Sequence, residues 1–174
     1  TYTLTRSPSV VSYIVNRTSI VVTVSSNGNP QGTKVSITSG SFELSSSSIS
    51  VLGSGNTTIT LSGLIPNTAY TLKTRTENYN NIASTETTVA STTTLSNSIT
   101  VSGFKVNTTS AVITVNANGN PDGTQIVVST GANNHFAVSL SSIGRIAGNE
   151  TTLTIFGLST NTSYGLQAGS LNVD

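Results

Sequence analysis

Residues able to serve as acid, base or nucleophile are few in this chain. Its carboxylates are Glu43, Glu77, Glu86, Asp122, Glu150 and Asp174, each standing alone, and His135 is the single histidine. Glycoside hydrolysis needs two carboxylates converging on one cleft, and a calcium site needs several clustered oxygens. The spacing supplies neither, and each carboxylate falls where the pattern predicts a loop or an outward-facing strand position. In Asn133-Asn134-His135 the imidazole reads as an exposed loop residue rather than a general base or ligand. A serine nucleophile needs a positioned base and orienter, and no Gly-x-Ser-x-Gly elbow is present. Gly53-Ser-Gly55 lacks the further glycine and helix of a phosphate cradle. Zero cysteines exclude disulfides, thiolate chemistry and cysteine-bound metals. The expectation is a chain with no catalytic residue, no cofactor and no metal site.

Two weaker chemical signals remain. Tyr79 and Phe136 are loop aromatics on which a sugar face could stack. Asn16, Asn56, Asn107, Asn149 and Asn161 each begin an Asn-x-Ser/Thr sequon. In a chain with so much Ser and Thr, five sequons are no more than chance placement supplies, though Asn16 and Asn107 occupy equivalent positions. Ser45-Ser-Ser-Ser48 reads as either an O-linked stretch or a flexible loop.

Composition narrows the class. Only 7% of the 174 residues are charged and the formal net charge is +1, while Ser and Thr make up about a third of the chain. Seven scattered cations cannot form the patch a nucleic-acid binder needs. No apolar run approaches the roughly 18 residues of a membrane span. Abundant Thr, Val and Ile with almost no charge is the reverse of a disordered composition.

The elements that position these residues come in duplicate. Asn27-Gly-Asn-Pro-Gln-Gly-Thr33 recurs as Asn118-Gly-Asn-Pro-Asp-Gly-Thr124, a shift of 91 residues (118 − 27). The same shift aligns Asn16–Val24 with Asn107–Val115, and Gly63–Tyr70 matches Gly157–Tyr164 at a shift of 94. Two tandem homologous domains follow, 1–94 and 95–174, the second carrying about three extra residues in its middle. Each reads as β-structure. Ile20, Val22 and Val24 alternate with outward residues, and so do Val35/Ile37, Ile59/Leu61 and Tyr70/Leu72. Their counterparts Ala111/Ile113/Val115, Ile126/Val128, Leu153/Ile155 and Tyr164/Leu166 repeat the period of two. In Asn29-Pro30-Gln-Gly32 and Asn120-Pro121-Asp-Gly123 the proline and glycine sit where a type I turn favours them. The predicted fold is all-β, two sandwiches in tandem.

The pattern Gly63-Leu64-x-Pro-Asn-Thr-x-Tyr70 resembles the fibronectin type III family of immunoglobulin-like sandwiches, and Leu158 and Tyr164 repeat it with Thr160 in place of the proline. The resemblance implies that Leu64 and Leu158 precede the crossover between the fifth and sixth strands. Tyr70 and Tyr164 would then enter the sixth and return their hydroxyls to an upstream backbone group inside the core. The Asn-Gly-Asn-Pro-x-Gly-Thr stretch, with Pro30, Gly32, Pro121 and Gly123, looks like the region between the second and third strands of microbial versions. The absence of tryptophan favours a microbial or viral relative.

Shifted by 91, Thr1–Leu4 falls on Thr92–Leu95, so the chain is expected to start in the tail of a preceding domain. Asn172–Asp174 aligns near Asn78–Asn80, which leaves the second copy without the last strand that the first carries near 81–91. Either the chain is a segment of a longer array or a neighbouring chain donates that strand at the edge after Asp174. The expected function is a non-catalytic structural or spacer repeat of an extracellular, cell-surface, filament or virion-appendage protein. Its partners would be neighbouring repeats or copies of itself. The alternatives are an adhesive or carbohydrate-binding module, or an accessory domain of a secreted enzyme.

Overall fold

The computed structural model describes residues 1–40, 47–130 and 141–172. Among them there is no helix, and thirteen strands form antiparallel sheets. The chain divides into two compact units, Thr1–Leu64 with Thr68–Thr94, and Ile65–Asn67 with Leu95–Asp174.

In the first unit, β1 (Ser9–Val15), β2 (Ser19–Ser25) and β5 (Thr57–Ser62) form one sheet in the order β1-β2-β5. The other sheet contains β3 (Lys34–Thr38), β4 (Ser47–Val51), β6 (Ala69–Glu77) and β7 (Thr87–Thr93), in the order β4-β3-β6-β7. The period of two makes this a sandwich. Ile20, Val22 and Val24 of β2 with Ile59 and Leu61 of β5 bury one face, and Val35, Ile37 and Leu72 from the opposing sheet complete a single core. Each such side chain contributes roughly 1.5–3 kcal/mol when removed from water.

The second unit repeats the plan. Its sheets are β12-β9-β8, from β8 (Thr100–Val106), β9 (Ser110–Asn116) and β12 (Glu150–Phe156), and β11-β10-β13, from β10 (Gln125–Thr130), β11 (Ser141–Arg145) and β13 (Leu166–Ser170). Ala111, Ile113, Val115, Ile126, Val128, Leu153 and Ile155 form its core. The register shift in β1 between Val10 and Ser12 recurs in β8 between Val101 and Gly103. Such a bulge on an edge strand discourages further pairing there.

Several expectations are corrected. The turn that closes on Gly32 runs from Pro30 to Thr33, whose amide donates to the Pro30 carbonyl, and Gly32 has φ +87°. A positive φ at the second central position alone marks a type II turn, so Pro30 precedes the central pair and glycine is there for its φ. Pro121 and Gly123 (φ +88°) repeat it, with Thr124 N–H donating to Pro121. The last strand of the first unit is Thr87–Thr93 rather than 81–91, because Asn78–Ile82 closes on itself through the Asn78 side chain. Tyr164 lies before β13, which starts only at Leu166. Ser47 and Ser48 belong to β4, paired with Thr38 and Ile37, where a loop was expected.

Candidate functional site

The repeated Asn-Gly-Asn-Pro motif builds two turns in succession. Asn29 N–H donates to the Ser26 carbonyl while Asn27 (φ 49°) and Gly28 (φ 80°) adopt left-handed backbone. Positive φ at both central residues is the type I′ geometry that Asn-Gly prefers. This tight reversal turns the Asn29 side chain into the unit, where it is only 9% exposed. A buried primary amide is costly unless its donors and acceptor are satisfied, and Asn29 satisfies them on the segment before β1 and on its own turn. Arg6 N–H donates to Asn29 Oδ1 at 2.9 Å, and Asn29 Nδ2 donates to the Arg6 carbonyl at 2.8 Å and to the Ser26 carbonyl at 2.8 Å. One side chain thus grips both backbone groups of a residue ahead of the first strand.

The second copy repeats this at the same shift. Asn97 N–H donates to Asn120 Oδ1 at 2.7 Å, and Asn120 Nδ2 donates to the carbonyls of Asn97 at 2.8 Å and Ala117 at 2.9 Å. Two further bonds recur. Asn27 Nδ2 donates to Ser7 O as Asn118 Nδ2 does to Ser98 O, and the hydroxyls of Thr76 and Ser170 donate to Arg6 O and Asn97 O at 2.7 Å. In both units the segment before the first strand is therefore bonded to its own sandwich through side chains.

Beside the first clamp lies a pocket of about 420 Å³ lined by Tyr2, Leu4, Arg6, Pro30, Asn78 and Tyr79, among others. Tyr2 and Tyr79 have ring centroids 5.1 Å apart and planes tilted by 48°, and both rings are exposed. Tyr79 Oη stands 3.2 Å from where a Cβ on Gly32 would be. Phe136 and His135 lie outside the described residues.

The corner residues are placed as follows. Leu64 and Leu158 are buried in the two cores, and Tyr70 and Tyr164 are half-buried against them. The Tyr164 hydroxyl accepts from Ser159 N–H at 2.8 Å, on the surface rather than inside the core. Hydrogen bonds from the Ser159 side chain and backbone hold the Tyr164 phenol below its ordinary value of 10.0, because they favour the phenolate.

Among the described residues the carboxylates do not converge. Glu77 pairs with Lys34 and Arg75 at 3.3 Å each, and Glu86 with Lys73 at 3.0 Å. Such partly exposed pairs contribute little stability. Asp122 Oδ1 accepts from Gly148 N–H at 2.8 Å, Glu150 is exposed at the start of β12, and Glu43 and Asp174 lie outside the described residues. Among the described residues no three His, Asp or Glu side chains group as metal ligands. All five sequon asparagines are exposed, and Asn16 and Asn107 donate to Ser19 Oγ and Ser110 Oγ.

The clamp partners, Arg6 and Asn97, were not foreseen from sequence. The available signal was the second asparagine of each motif, Asn29 and Asn120, held at one place in both repeats.

No protein-family profile and no curated protein sequence matches the chain. Among solved structures, the chitinase ChiA74 from Bacillus thuringiensis is similar with a TM-score of 0.37 and 18% identity, over 99% of this chain and 28% of that one.

Proposed function

We propose that the chain is a non-catalytic structural repeat of fibronectin type III type, serving as a spacer in an extracellular, cell-surface, filament or virion-surface protein. The single observation that carries the reading is the duplicated linker clamp. A catalytic scaffold has no need to fix the same entering residue in each repeat, whereas a spacer gains from holding the chain that enters each sandwich onto that sandwich. Thr94 N–H donates to Thr68 within the first unit and Ser96 N–H to Asn172 within the second. The pairing of β4 with β3 rather than β5 supports the fibronectin type III assignment over a constant-type immunoglobulin arrangement. The engagement of Glu77 and Glu86 in separate ion pairs supports a non-catalytic reading. An exterior rich in hydroxyls, without oxidisable Cys or Met, suits exposure outside the cell.

One observation favours a second reading, a carbohydrate-binding module: the exposed Tyr2–Tyr79 pair beside a pocket. NMR titration with neutral cello- and xylo-oligosaccharides separates the two. The spacer reading expects no saturable shift at Tyr2, Tyr79 or Asn78. A saturable shift confined to these residues, lost in Tyr79→Ala, replaces it with the binding module.

A further inference from the structure

Two Asn-Gly steps occur in the chain, Asn27-Gly28 and Asn118-Gly119, and both lie exposed in the same left-handed reversal. Such a step is prone to convert itself, because glycine has no Cβ to hinder its own nitrogen as it approaches the asparagine side chain. The two carboxamides are held unequally. Asn27 Nδ2 makes one bond, to the Ser7 carbonyl at 2.9 Å. Asn118 Nδ2 donates to the Ser98 carbonyl at 2.8 Å, and the Thr100 hydroxyl reaches both ends of that carboxamide, 3.4 Å from Nδ2 and 3.5 Å from Oδ1. Ser9, the counterpart of Thr100 at the shift of 91, makes no bond to Asn27. The charge over each turn differs as well. An Arg6 guanidinium nitrogen stands 3.7 Å from where a Cβ on Gly28 would be, and at Gly119 the neutral Asn97 Nδ2 occupies that place at 3.7 Å.

We propose that Asn27 and Asn118 are sites of spontaneous deamidation, Asn27 the faster, and that conversion releases the neighbouring clamp. The Gly28 nitrogen loses its proton and attacks Asn27 Cγ. The N–Cγ bond forms, the Cγ–Nδ2 bond breaks, and Nδ2 departs as ammonia with that proton. One water then opens the imide, at the side-chain carbonyl to give aspartate or at the main-chain carbonyl to give isoaspartate. The ring cannot close while the carboxamide is bonded to Ser7, so conversion proceeds through local opening, which is rarer where more bonds must break. The Arg6 cation further favours the deprotonated nitrogen at Gly28. Both effects place Asn27 ahead of Asn118. Either product sets a carboxylate against the Ser7 carbonyl. Isoaspartate also lengthens the main chain by one atom, so the reversal no longer brings Asn29 N–H onto Ser26 O or its side chain onto Arg6. The proposal holds whether or not the repeat serves as a spacer.

The test incubates the whole chain at mildly alkaline pH, in buffer and in concentrated urea, and follows each Asn-Gly step by peptide mass mapping. In urea the two steps convert at rates within about twofold of each other; in buffer both are slower, and Asn27 leads Asn118 by at least about threefold. Thr100→Val speeds Asn118 alone, and Arg6→Gln, which keeps the backbone bonds of residue 6, slows Asn27 alone. In chains converted at position 27, the Arg6 amide exchanges hydrogen at least about tenfold faster than in unconverted chains. Equal rates at the two sites in buffer, a faster Asn118, or rates in buffer matching those in urea overturn the proposal. So does the absence of conversion in buffer over a period in which the urea sample converts fully, or unchanged Arg6 exchange after conversion.

Discussion

Truncating the clamp asparagine, Asn29→Ala, removes three hydrogen bonds together: one accepted from Arg6 N–H and two donated, to Arg6 O and Ser26 O. Each is worth about 1 kcal/mol net. The Arg6 carbonyl keeps the Thr76 hydroxyl as a donor at 2.7 Å, and water can reach the vacated linker, so the full penalty of an orphaned buried group does not apply. The expected loss is about 2–3 kcal/mol from the first domain, against the roughly 5–10 kcal/mol such a domain possesses. At about 4–8 °C per kcal/mol for this size, the first domain's Tm falls by roughly 10–20 °C. Asn120→Ala does the same to the second domain, through Asn97 and Ala117. Residue-resolved hydrogen exchange assigns the loss to one domain, which a global melt cannot do. Asn29→Asp keeps the acceptor but sets a carboxylate against two carbonyls; it is at least as harmful at pH 7 and recovers in part on acidification, as the acid, raised by its burial and by the facing carbonyls, becomes protonated. A change under about 0.5 kcal/mol in both alanine variants would refute the clamp as a structural device.

Leu72→Ala, in a completely buried position, should cost the first domain about 2–5 kcal/mol, and denaturant melts should show Leu166→Ala costing its half-buried site clearly less. Gly32→Ala and Gly123→Ala both force a side chain to φ near +87° and should each lose about 1–2 kcal/mol; only Gly32→Ala should also shift the Tyr79 ring resonances. Tyr164 should ionise below 10.0. Between its folded value and 10.0 the unfolded chain binds more protons, so the second domain gains stability as pH rises through that window; Tyr164→Phe should flatten that rise and remove the earliest phenolate absorbance at 295 nm.

The two sandwiches were legible because alternation of β-branched residues in β2, β5, β9 and β12 is a direct image of a half-buried sheet, and the repeat doubled every signal. β4 was not, because Ser-Ser-Ile-Ser-Val points Ile49 and Val51 to solvent and carries its period on the wrong face for a hydrophobic reading. The turn type was misplaced because proline and glycine fit two overlapping four-residue frames, and only the φ at Gly32 and Gly123 distinguishes them. The corner was read from the spacing of Leu158 and Tyr164, yet its hydrogen bond lies at the surface, since spacing does not report depth. The clamp was hidden because backbone groups of Arg6 and Asn97, which have no sequence signature, supply half of it.

The central claim is that the segment leading into each sandwich is held as firmly as the strands that follow it. Backbone 15N relaxation at Arg6 and Asn97 in the intact chain measures this directly. The account predicts order parameters of about 0.85, equal to those of β2 and β9 and lowered by Asn29→Ala or Asn120→Ala at the matching linker alone. Values below about 0.6 at either residue in the unmodified chain would contradict it.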